Sequence, residues 1–140
     1  MMTIELMVDD AARAMIESLP QASWHFDPEA GELDILLPVE PRHGVGKLVD
    51  EGDLYVRVDV ETGAPLSIMI YPLLSWLEDF GLADVAAQVE AVARPAIAAG
   101  RLDIPLPADA RLAIRGVLAG VRPAIARVLA LAAAERPVPA

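Results

Sequence analysis

A chain of 140 residues, 55% of them hydrophobic, is one domain by size with enough apolar content for a single core; aromatics are only 4%, so Ala, Val, Leu and Ile must fill it. The absence of cysteine excludes disulfides, thiolate metal sites and cysteine nucleophiles in one step. A net charge of −10, with 14 acids against 4 bases in residues 1–70 and seven of each in residues 71–140, argues against nucleic acid as a partner, because phosphate binding runs on Lys and Arg.

The first element is a helix ending near Leu19. Ala12, Met15, Ile16 and Leu19 recur at helical spacing, Asp9 and Asp10 favour its N-terminal end, and Pro20 stops it. Thr3 to Val8 fits two structures: Ile4, Leu6 and Val8 alternate like a strand, and a helix starting at Thr3 suits them equally. The N-terminal Met-Met-Thr-Ile-Glu has an acid where an export signal needs a base, so a cytoplasmic location is expected.

A hairpin follows. Trp24 and Phe26 share one face of its first strand, and Leu33, Ile35 and Leu37 share one face of its second. Between them Asp27-Pro28 suits a type I turn, closed by Gly31 in a left-handed conformation. Pro38, Pro41 and the Gly44/Gly46 pair mark a connection with a short strand at Val45 to Val49 beyond it. The clearest signal comes next: Leu54, Val56, Val58 and Val60, then Glu61-Thr62-Gly63, then Leu66, Ile68 and Ile70. Strict alternation about a glycine turn predicts a second hairpin, with Val56 opposite Ile68, Val58 opposite Leu66 and Gly63 in the left-handed region. Its other face (Tyr55, Arg57, Asp59, Ser67, Met69, Tyr71) is mixed, which suits cover by a helix or by a second subunit.

The run Phe26-Asp27-Pro28-Glu29-Ala30-Gly31-Glu32-Leu33-Asp34-Ile35-Leu36-Leu37, followed by Asp53 to Gly63 and Leu66 to Ile70, resembles the small bacterial domain-of-unknown-function family 2283 over residues 24–71. Members of that family typically open with an aromatic-Asp-Pro-Glu-Ala hairpin and continue as strand, acidic glycine turn and strand. The resemblance implies a small β-meander followed by a helix, and no activity or functional residues. Ser67-Ile68-Met69-Ile70 stands where the family usually has a glycine and an acid, and the long helical tail is additional.

Pro72 suits the first position of a helix carrying Leu73, Trp76, Leu77 and Phe80, ended by Gly81. The next helix, from Leu82, puts Val85, Val89 and Val92 on one stripe up to Arg94-Pro95. Gly100 releases an extended connector through Pro105 and Pro107. From Ala108 a last helical pattern, kinked or restarted at Pro123, aligns Ile114, Val117, Val121, Ile125 and Val128, with Arg122 at its edge. Its four interrupting residues, Arg115, Arg122, Pro123 and Arg127, argue against a membrane span. The pentapeptide Arg-Pro-Ala-Ile-Ala occurs at 94–98 and again at 122–126, as a repeat or as shared helix-kink chemistry.

The expected fold is α+β: an antiparallel β-meander of about four strands with an N-terminal helix and the following helix (residues 1–80), and an alanine-rich helical tail (residues 81–140). The tail packs on the same core or on a second subunit. In the second case Ile114, Val117, Val121, Ile125, Val128 and Arg122 form a homo-oligomer interface. Two acidic clusters, Asp27/Glu29/Glu32/Asp34 and Asp50/Glu51/Asp53, lack the spacing of a calcium loop, and no catalytic residue, metal or cofactor is expected. The functional expectation is a non-enzymatic interaction module, homo-oligomeric, sequestering a basic protein partner as antitoxins do. The alternative is a small hydrolase-like enzyme using His43 with loop acids.

Overall fold

Two hairpins with the same turn grammar organise the sheet. A computed structural model describes residues 4–49 and 53–135. In chain order these form α1 (Ile4–Glu17), a 3₁₀ turn (Leu19–Gln21), β1 (Ser23–Asp27), β2 (Glu32–Leu36), β3 (Gly44–Val49), β4 (Leu54–Asp59), β5 (Pro65–Ile70), α2 (Leu73–Asp79), α3 (Ala83–Ala98), α4 (Ala108–Gly120) and α5 (Arg122–Glu135). The class is α+β, as the hydrophobic periods predict. The ambiguous N-terminal segment is helical from Ile4.

In the β1–β2 turn, Asp27 Oδ1 accepts the amides of Glu29 and Ala30 at 3.0 and 3.1 Å, and the Gly31 amide donates to the Asp27 carbonyl at 2.8 Å. In the β4–β5 turn, Asp59 Oδ1 accepts the Glu61 amide at 2.9 Å, and the Gly63 amide donates to the Asp59 carbonyl at 2.8 Å. Both loops close on a glycine at φ +76°, where a Cβ would be strained.

All strand pairs are antiparallel, in the order β1-β2-β5-β4-β3. The sheet therefore has five strands, and it is not a meander throughout. Residues 37–43 carry the chain past the ends of two strands so that β3 lands on the far edge, and β5 later fills the gap beside β2. Val56 faces Ile68 as expected. Val58 faces Pro65 instead of Leu66, because a bulge at Arg57/Val58 leaves Leu66 out of the ladder.

One sheet face, with Phe26, Leu33, Ile35, Leu54, Val56, Ile68 and Ile70, joins buried residues of the helices in a single hydrophobic cluster. The tail belongs to that cluster. Its apolar stripe meets α1 and the sheet of its own chain, with α5 lying chiefly on α1 and also against β3 and β4. Ile114 and Ile125 have no exposed surface, Val128 is buried, and Val117, Val121 and Arg122 are half-buried. Of the six residues expected at an interface, Ile114, Ile125 and Val128 are thus covered within the chain, and Val117, Val121 and Arg122 keep partial exposure. Helix α1 supplies most of that cover, with β3 and β4 beside it, so the stripe needs less sheet surface than its length suggests. Burial of each large side chain there contributes about 1.5–3 kcal/mol.

Two helix expectations also change. The buried face of α3 is Ala86, Val89, Ala93 and Ala96, while Val92 is exposed; small residues let this helix approach its neighbours closely. The helix runs through Pro95 to Ala98 before Gly100, at φ +71°, ends it. The first pentapeptide thus closes α3, and the second opens α5 with Pro123 in its first turn. Ile97 is exposed and Ile125 buried, so the two copies do different structural work. Among the described residues no single helix is long and apolar enough to cross a membrane; α4 and α5 reach that length only as a pair bent by 64°.

Candidate functional site

Alternation puts every second strand residue on the sheet face opposite the core. There, cross-strand pairing aligns His25, Asp34, Met69, Tyr55 and Leu48 into one row spanning all five strands. The adjacent row is Ser23, Leu36, Ser67, Arg57 and Gly46. Between them lies a shallow groove of about 330 Å³ whose described lining comes from strands alone, with no helical residue. Leu36 is 41% and Leu48 49% exposed on a face that an uncovered antiparallel sheet normally makes polar.

The groove is pre-shaped. Arg57 Nε donates to Ser67 Oγ at 3.1 Å, which holds the guanidinium along the floor. A Cβ built at Gly46 would meet nothing within 4 Å, so that glycine leaves the β3 end of the groove open. Gly44, two residues earlier, serves packing instead: its Cβ would stand 2.8 Å from both Arg57 Cγ and Leu66 Cδ1.

Charge is distributed unevenly over this face. Asp27, Glu32 and Asp34 gather at the β1–β2 side, where Asp27 faces Glu32. Burial raises the Glu32 carboxyl above its ordinary range, and the neighbouring charges of Asp34 and Asp27 push the same way. Asp103 adds a fourth acid through its contact with His25, Nδ1 to Oδ2 at 2.8 Å. At the β3 side the face is apolar, and Arg57 is the cation between.

Other sequence candidates sit elsewhere. His43 precedes β3, exposed, and its carbonyl accepts the Val60 amide at 3.2 Å. Among the described residues no carboxylate lies within ion-pair distance of the His43 ring; its neighbour Arg42 is the residue that reaches Asp59, Nε to Oδ2 at 3.6 Å. No group of three metal-ligating side chains occurs among the described residues, and Asp27 is occupied by its own turn. Of the second acidic cluster, Asp50 and Glu51 lie outside the described residues. Arg111 and Arg115 line a separate open cleft of about 360 Å³ with Trp24 and Asp109. The interface residues expected on the tail do not reach the open face.

The sequence did signal this face as mixed, through Tyr55, Arg57, Ser67 and Met69. Leu36, Leu48 and Gly46 were not legible as its members, because the strand order that places β2 and β3 on either side of the β4–β5 hairpin is a tertiary fact. No family model, curated protein or solved structure matches the chain, so the resemblance of residues 24–71 rests on the turn and strand residues themselves.

Proposed function

We propose that this chain is a non-catalytic interaction module that engages a protein partner through the open face of its sheet. The observation carrying it is the row Met69–Tyr55–Leu48 with Asp34 at its end, on a face whose groove no described helical residue lines. Leu36 and Leu48 are exposed and Tyr55 and Met69 half-buried between them, and apolar surface rimmed by polar groups in this way is the kind that marks interaction sites. The strands that carry it are backed by the whole core, which gives the rigid platform a binding surface needs.

The test is a tagged wild-type chain compared with Leu48→Asp in pull-downs from the native host, each partner being identified. Leu48 is half exposed, so the substitution leaves the core intact, which its thermal midpoint verifies. Proteins held by wild type and lost from the variant support the reading. The same proteins retained at the same yield sink it.

A further inference from the structure

Resting on the reading of the open face as a contact surface, we infer that its occupant is a basic amphipathic helix of another protein, not a second copy of this chain. The occupant must satisfy two chemistries side by side. Leu48, with half-buried Tyr55 and Met69, asks for an apolar stripe, and Asp34 and Glu32 ask for cations next to it, with Arg57 drawn aside toward Ser67. The row spans five strands, about 19 Å at 4.8 Å per strand, which matches a helix of about 13 residues at 1.5 Å per residue. A helix bonds its own backbone groups internally, so it can lie on a sheet face without leaving them unpaired, as the helices of this chain do on the other face.

Symmetry works against a second copy. Two copies meeting face to face are related by a two-fold axis lying between the sheets. An axis along the row lays each residue on its own equivalent, Asp34 upon Asp34. An axis along the strands exchanges the ends of the row, bringing Asp34 onto Tyr55 and His25 onto Leu48. In the first arrangement carboxylate meets carboxylate; in the second Asp34 meets a phenol, and Arg57, already bonded to Ser67, falls over Leu36 as the cation nearest to it. The net charge of −10 on each copy adds repulsion, whereas a basic partner gains attraction from the same charge.

The experiment uses the full chain, 15N-labelled, titrated with three synthetic helices of about 14 residues sharing one leucine stripe. The remaining positions are Lys, Ser or Glu. The expected result is that the Leu–Lys helix binds and shifts the amides of Gly46, Tyr55 and Met69, while the Leu–Glu helix does not bind. Glu32→Gln combined with Asp34→Asn should weaken the Leu–Lys complex about 5-fold, the scale of exposed ion pairs, and added salt should weaken it further. Leu48→Ser should weaken the Leu–Lys and Leu–Ser complexes alike.

Equal affinity for the Leu–Ser and Leu–Lys helices, both shifting the face, overturns the basic partner and leaves the face as a contact surface. Shifts confined to residues off the face, or binding by none of the helices, overturn the proposal. Shifts off the face also count against the contact surface itself. A dimer mass in light scattering at tens of micromolar (the range in which weak dimers form), abolished by Leu48→Asp, replaces the basic helix with a second copy on the same face.

Discussion

His25 Nδ1 lies 2.8 Å from Asp103 Oδ2, although 78 positions separate the two residues in sequence. One residue further along each segment, the Ile104 amide donates to the Phe26 carbonyl at 2.9 Å. Together they fasten the connector between α3 and α4 to the outer edge of β1. The open edge of β1 is thereby capped at Phe26, and Ile104 and Leu106 are carried into the core.

The side-chain contact of this latch is half exposed on both partners, so its energetic share is small. Asp103→Ala should cost less than about 1 kcal/mol globally, yet it should speed hydrogen exchange at the Ile104 amide several-fold. Unchanged exchange at Ile104 would assign the latch to the backbone bond and the burial of Ile104 alone.

Asp59 should make stability depend on pH. Its carboxyl is held below the ordinary 3.8, first by the Glu61 amide, then by the Thr62 hydroxyl and amide and the Arg42 charge, against the opposing effect of burial. A carboxyl whose folded pKa is depressed adds stability that is fully present above the unfolded value and is lost as pH falls through the folded one. Asp59→Asn should therefore be less stable than wild type at neutral pH, with the gap closing below about pH 4 in urea titrations. A gap of constant size down to pH 2 would leave the turn hydrogen bond as the whole contribution.

Glycines 44 and 46 should respond differently to the same change. A methyl at Gly44 meets Arg57 Cγ and Leu66 Cδ1 at 2.8 Å and the Val58 carbonyl oxygen at 3.1 Å, and that last neighbour is ladder backbone that cannot move aside. Gly44→Ala should destabilise by about 1–3 kcal/mol through overpacking. Gly46→Ala enters open space and should stay within about 0.5 kcal/mol of wild type. Equal costs at the two positions would contradict the packing at the start of β3.

Ile125 tests where the tail belongs. With no exposed surface and its contacts inside one chain, Ile125→Ala should cost about 2–5 kcal/mol by transfer and cavity terms. Its thermal midpoint should not depend on protein concentration. A midpoint that rises with concentration in the wild type and not in the variant would return this stripe to an interface between subunits.

Local chemistry settled much of the architecture. Asp27 with Gly31 and Asp59 with Gly63 wrote both hairpin turns, since an aspartate that accepts amides ahead of it and a glycine free to take positive φ leave the chain little alternative. Alternation put Leu54, Val56, Val58, Ile68 and Ile70 toward the core but not Val60, which is exposed, or Leu66, which the bulge shifts out of the cluster; Pro20, Gly81 and Gly100 placed helix ends. These are decisions made over a few residues, where dihedral preference and period suffice.

Tertiary structure decided what no short window contains. The passage of residues 37–43 across two strands put β3 on the far edge, and with it Leu48 and Gly46 beside Tyr55 and Arg57. The bulge at Arg57/Val58 and the Ile104 bridge answer to packing at a distance. The stripe of α4 and α5 was legible as apolar, but periodicity names a face without naming what covers it. Packing on α1, with β3 and β4 beside it, gave that stripe its cover within the chain and left Leu36 and Leu48 exposed on the sheet's other side, because each strand buries one face only where a helix lies on it.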